Sequence, residues 1–154
     1  MAIVKWVLSL TLGGFLIFFG AMKFAGGAHI FPFIEHRAEA MGLPFAGLFY
    51  PIVNWATGAL ELLAGVLVIL PATRRIGAAL AAAPFLGAVG FHLSPLLGVS
   101  TPNGYADPPP AAALEAGGPF LREHFTQATS PVLFTIALAM LVAALVNAAL
   151  HRRA

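Results

Sequence analysis

The stretch Pro51–Leu70 reads PIVNWATGALELLAGVLVIL, and one acidic side chain, Glu61, interrupts it. A helix of about 20 residues crosses a bilayer core. Glu61 is the eleventh residue of the run, so it falls near the midplane of such a helix. A charge there costs at least about 2.5–3.5 kcal/mol on insertion scales, so an intramembrane carboxyl ordinarily faces protein and carries a task. Two readings of Glu61 stay open. It is either a neutral carboxyl that hydrogen-bonds as packing glue, or a group that pairs with a cation and moves protons.

Working outward, three more apolar runs appear, and the chain of 154 residues is 60% hydrophobic and 9% charged. Its mean hydropathy is +0.91, whereas soluble domains are about 25% charged. The predicted fold is all-α: a polytopic membrane protein built as an antiparallel four-transmembrane-helix bundle, a single membrane domain over 1–154. Its helices are expected near 3–24, 51–70, 76–98 and 130–150, with outer loops at 25–50 and 99–129. Lys5 and the later Gly26–Ala28 imitate a signal peptide and its cleavage site, but the run between them is long for that purpose and is read as a transmembrane helix. The second span starts at Pro51, or at Pro44 with a kink at Pro51. Pro71, Thr73, Arg74 and Arg75 make a turn short enough to force antiparallel neighbours.

Within the loops, FPFIEHRAEAMG predicts a short interfacial helix started at Pro32 and stopped at Gly42. Pro119–Gln127 predicts a second short amphipathic piece. Ser130 and Pro131 read as the N-cap and first residue of the fourth helix. Lys5, Arg74, Arg75, Arg152 and Arg153 lie on the side of the termini, against Lys23, Arg37 and Arg122 on the other. This five-to-three excess predicts that both termini are cytoplasmic.

Composition also excludes functions. The sequence pI near 9.5 reflects a formal net charge of only +2, with no basic stretch longer than two residues, so nucleic acid is not an expected partner. No cysteine is present, which removes dithiol and thiolate chemistry. Of the five histidines only His92 lies in an apolar run, which argues against a haem held between two helices, and no metal site is expected.

Helical spacing gathers the unusual side chains. Asn54, Gly58, Glu61 and Gly65 share one face of the second span. Gly13, Gly20 and Lys23 form a stripe on the first, and Gly77, Ala81, Pro84, Ala88 and His92 on the third. Small residues let helices approach closely. The expectation is a centre holding Lys23, Asn54, Glu61 and His92, lining a funnel that opens outward and ends on Glu61. A lysine reaches about 6 Å, and at about 1.5 Å of rise per residue a link from Lys23 to Glu61 runs either directly or through Asn54 or water. Equally open are a Lys23 that snorkels to the interface and a His92 that is the polar end of a kinked helix beside Ser94.

Gly20-Ala-Met-Lys23-Phe24 at the end of the first span, then Glu61-Leu-Leu-Ala-Gly65-Val-Leu-Val-Ile-Leu-Pro71, then Thr73-Arg74-Arg75 and an alanine-rich third span carry a resemblance. Over residues 8–98 the chain resembles the DoxX-like membrane proteins, the broad four-helix group that includes DoxD-type subunits. The resemblance implies four antiparallel helices and a bacterial inner (plasma) membrane location, and it maps the group's lysine and glutamate positions onto Lys23 and Glu61. Some members are implicated as quinone-reducing subunits of thiosulfate oxidation, and distant relatives help assemble other membrane proteins. The long proline-rich third loop departs from the group.

Two functions are therefore expected. One is a redox-associated subunit that binds a quinone, with Glu61 or His92 exchanging protons and a partner protein delivering electrons. The other is a non-enzymatic assembly or scaffolding protein. The expected partners are the lipid bilayer, a membrane protein or redox partner, and a second copy of the chain. A proton-coupled carrier is disfavoured because no inverted repeat is visible.

Overall fold

A computed structural model describes residues 2–107, 109, 114 and 117–151. Among the described residues five α-helices carry the fold: α1 Ala2–Phe24, α2 Ile30–Ala40, α3 Asn54–Ile69, α4 Arg74–His92 and α5 Val132–Leu150. Among the described residues four segments are long and apolar enough to cross a membrane: Ile3–Phe24, Ala46–Ile69, Arg74–His92 and Val132–Leu150. The helices α1 and α3, α3 and α4, and α4 and α5 are the main packed pairs, with a lighter contact between α1 and α5. A core of Leu12, Leu16, Ala64, Val68, Ala78, Ala81, Phe85 and Ala144 lies between them.

Three expected boundaries shift. The second span is not one helix from Pro51. A 3-10 turn, Ala46–Leu48, and a π turn, Phe49–Val53, lead into α3, with Tyr50 extended (φ −134°, ψ 133°) in front of Pro51. A residue before proline is pushed out of the helical region by the ring, so the kink falls where the sequence allows it. The third span ends at His92 and not at 98, because Ser94 precedes Pro95 and its hydroxyl turns back to the Phe91 carbonyl. Ser130 is no N-cap. It lies in β2, Thr129–Ser130, pairs antiparallel with β1, Thr101–Pro102, and donates its hydroxyl to Asn103. The N-cap of α5 is Pro131.

The two long connections fold together as a cap over one end of the bundle. Pro119–Gln127, expected as a short amphipathic piece, holds the 3-10 turn Arg122–His124. Phe33, Ile34, Tyr50, Leu97, Phe120 and Phe125 form part of a separate aromatic core beneath it. Histidines tie the layers: His29 shares a hydrogen bond with the Pro102 carbonyl at 2.9 Å and His36 with the Phe120 carbonyl at 2.7 Å. Arg37 donates to the Pro95 carbonyl. The residues at 108, 110–113, 115 and 116 lie outside the described part of this loop.

Candidate functional site

The α1–α3 contact is made of reciprocal glycines. A Cβ on Gly20 would sit 2.9 Å from the Gly58 carbonyl, and one on Gly65 would sit 2.9 Å from the Gly13 carbonyl. Each helix therefore presses backbone on backbone at two levels, seven residues apart. Lys23 and Glu61 flank the Gly20–Gly58 level, and Lys23 Nζ donates to Glu61 Oε2 at 2.6 Å. Helical side chains lean toward the N-terminus of their own helix. In antiparallel neighbours that tilt aims Lys23 inward and Glu61 outward, so the two meet directly without water.

The pair is close to fully desolvated: the Lys23 and Glu61 side chains are 11% and 10% exposed. Phe31 of α2 lies over it, with its ring centre 5.9 Å from Nζ. Asn54 is wholly buried and donates from Nδ2 to the Lys23 carbonyl at 2.9 Å, holding the last turn of α1. Its Oδ1 is buried without a partner. Lys23, Asn54 and Glu61 thus come together as expected from spacing.

His92 does not complete the expected centre. Its Nδ1 is bonded to the Gly98 carbonyl at 2.8 Å, and its ring packs edge-on against Phe134 of α5. The reason is the helix order. The α4 face carrying His92 meets α5 and the chain just after α4, while the face of α3 carrying Glu61 meets α1. Two cavities lie away from the ion pair. One lies along α4 at Gly87, Gly90, Phe91, Ser94 and Leu96, and the other at the far end of the bundle.

Three polar features escaped the sequence reading. Glu35 on α2 is 1% exposed, and its Oε2 accepts the Tyr50 N–H at 2.7 Å. Burial pushes its carboxyl up to about 7; the Tyr50 N–H opposes this and nearby Glu39 adds to it. Gly117 and Gly118 close over it with φ of +79° and +120°, and Gly118 leaves only 3.5 Å between a Cβ and Glu35 Oε1. A second feature is the buried hydrogen-bonded pair Ser9–Asn147, which joins α1 to α5. The third is Arg74, buried and donating to the Val68 and Ile69 carbonyls, with its guanidinium stacked 4.0 Å from the Trp6 ring centre. It caps the C-terminal end of α3, where a cation also suits the helix dipole. Only a lone Asn within the fourth apolar run gave any advance signal of the second.

Among the described residues no group of three or more His, Asp or Glu side chains is placed to hold a metal ion. No protein-family model, no curated protein and no solved structure matches this chain.

Proposed function

We propose that this chain is an integral membrane protein of the DoxX-like type, and that its Lys23–Asn54–Glu61 cluster exchanges protons with a quinone-like amphipathic molecule. The carrying observation is the desolvated Lys23–Glu61 pair beside an unpartnered acceptor, Asn54 Oδ1. Intramembrane ion pairs are expensive and mark functional pathways. Reduction of a quinone takes up two electrons and two protons. A redox partner protein delivers the two electrons, the Lys23–Glu61 pair passes two protons taken in turn from water to the two quinone oxygens, and Asn54 Oδ1 accepts from a quinol hydroxyl so formed. Phe31 and the cap must move aside for the head group to enter. Membrane insertion itself is supported by the large apolar side chains turned outward, among them Ile3, Leu86 and Ile76 at 78%, 63% and 60% exposed. Apolar side chains exposed on several long helices mark an interaction surface, here read as lipid-facing.

A second reading is favoured by one specific feature. The ion pair satisfies itself and is roofed over, as expected if it only locks α1 to α3 in a non-enzymatic assembly or scaffolding protein. Organic extraction of the purified chain separates the two readings. A bound quinone that is present in the native chain and lost in Glu61→Gln supports the first; a quinone-free chain in which Glu61→Gln is fully active in complementation overturns it. The bacterial inner membrane and cytoplasmic termini belong to the same proposal. A reporter active only outside the cytoplasm should be silent after Arg153 and active at Asp107; the reverse pattern overturns the orientation.

A further inference from the structure

The end of the bundle opposite the cap holds a cavity of about 500 Å³, lined by Pro71, Ala72, Arg74, Arg75, Ile76 and His151. It lies between the α3–α4 turn and the end of α5. Its lining joins two arginines and an imidazole to apolar wall. Among the described residues neither arginine has a carboxylate partner, since the ion pair found there is Lys23–Glu61. The described carboxylates Glu35, Glu39, Asp107 and Glu123 all belong to the connections that form the opposite end. Among the described residues this end carries cations and no carboxylate.

The donors are arranged for an oxyanion. Arg74 uses two of its N–H groups on the Val68 and Ile69 carbonyls, and guanidinium carries five, so it is fixed in place with donors to spare. Arg75 is exposed at the cavity edge. His151 bonds the Asn147 carbonyl through Nδ1 at 2.9 Å. A carbonyl only accepts, so that nitrogen carries the proton, and Nε2 is left buried without a partner. An unmet buried polar atom is costly, and a ligand that supplies its partner removes the cost. The first N–H groups of α4 also lack intrahelical partners. Guanidinium is the side chain best shaped for phosphate.

The wall decides which phosphate. Ile76 lines the cavity and is 60% exposed, and Leu70, next in the chain to the lining Pro71, is 48% exposed. Trp6, stacked on Arg74 and 43% exposed, belongs to the residue type that gathers at headgroup depth. A soluble anion has no use for that apolar rim, whereas the chains of a lipid do. We infer that this cavity binds the phosphate of an anionic phospholipid headgroup, Arg74 and Arg75 supplying the donors, His151 Nε2 accepting from a headgroup hydroxyl such as that of a glycerol, and Ile76 and Leu70 meeting the acyl chains. The phosphate chemistry stands on the cavity alone; the lipid source rests on the membrane reading above.

Native mass spectrometry of the full chain in a non-ionic detergent tests this, with dioleoyl phosphatidylglycerol, dioleoyl phosphatidylcholine or inorganic phosphate added. The native chain should retain phosphatidylglycerol at least about tenfold more tightly than phosphatidylcholine, whose choline the arginines repel. The double variant Arg75→Gln/His151→Gln should lose about tenfold or more, the worth of one charge-assisted hydrogen bond. Should the double variant misfold, Arg75→Gln alone, at an exposed side chain, carries the same expectation. Equal retention of both lipids, or variants as tight as the native chain, overturns the site. Inorganic phosphate that displaces the lipid at equal concentration overturns the lipid source. Carbonate washing of the cell membranes, done in parallel, reads membrane insertion independently of any variant: a chain released by it sinks the membrane reading, while phosphate binding still reports on the cavity.

Discussion

Exchanging Lys23 for Met keeps the length of the side chain and removes its charge, leaving Glu61 alone at the α1–α3 contact. At the observed 2.6 Å, the attraction between two unit charges is about 6 kcal/mol at an effective dielectric near 20. Desolvation of the two ions takes back several kcal/mol each, so the intact pair contributes little net stability. Breaking it is another matter. Glu61 sits in the middle of α3 with its side chain only 10% exposed, so Lys23→Met should destabilise by about 3–5 kcal/mol. The opposite change is milder. In Glu61→Leu the lysine lies one residue from the end of α1 and can swing outward, its stem on apolar surface and its ammonium in the headgroups. That variant should lose about 1–2 kcal/mol, within the ordinary range for single substitutions. The double variant Lys23→Met/Glu61→Leu should return to within about 1 kcal/mol of the native chain or exceed it, because replacing a buried pair by apolar side chains is often neutral or stabilising. Reversible unfolding in mixed micelles, followed by helix content, reads all four corners of the cycle. If the double variant loses the sum of the two single losses, the residues are uncoupled and the tilt argument for their meeting fails.

The glycine contact predicts that Gly20→Ala, whose Cβ would meet the Gly58 carbonyl at 2.9 Å, destabilises by about 1–3 kcal/mol as an overpacked site, in the same unfolding assay; Gly14→Ala, with open space around it, should be neutral, and an equal effect at both would refute the packing. For Glu35, a carboxyl pushed up to about 7 from an ordinary 4.5 binds a proton in the folded cap that the unfolded chain gives up. Its contribution is therefore full below about pH 4.5 and is lost as pH rises through about 7. Hydrogen-exchange protection of α2 should fall over that window and become flat in Glu35→Gln, so parallel profiles for the two chains would contradict it. Ser9→Ala strands the buried Asn147 amide and should lose about 1–3 kcal/mol, most of it regained in Ser9→Ala/Asn147→Leu; calorimetric melts that show no recovery would assign the loss to packing instead.

The apolar runs and the Pro71–Arg75 turn were enough to determine four long helices and their antiparallel order, because hydrophobic length and short connections act locally. Spacing along one helix also placed Asn54, Gly58, Glu61 and Gly65 on a common face, and Gly13, Gly20 and Lys23 on another. What tertiary structure decided was which faces meet. Glycine on glycine drew α1 against α3 and closed Lys23 onto Glu61, while the packing of α4 against α5 sent His92 to Gly98 and Phe134. The same holds for Glu35, which reads as one charge among several on a short polar helix. Only the return of Gly117 and Gly118, more than eighty residues later in the chain, covers it and removes it from water. Periodicity reports the direction a side chain takes from its own helix axis; the neighbour that waits there is set by contacts between segments far apart in sequence, and those leave no local pattern to read.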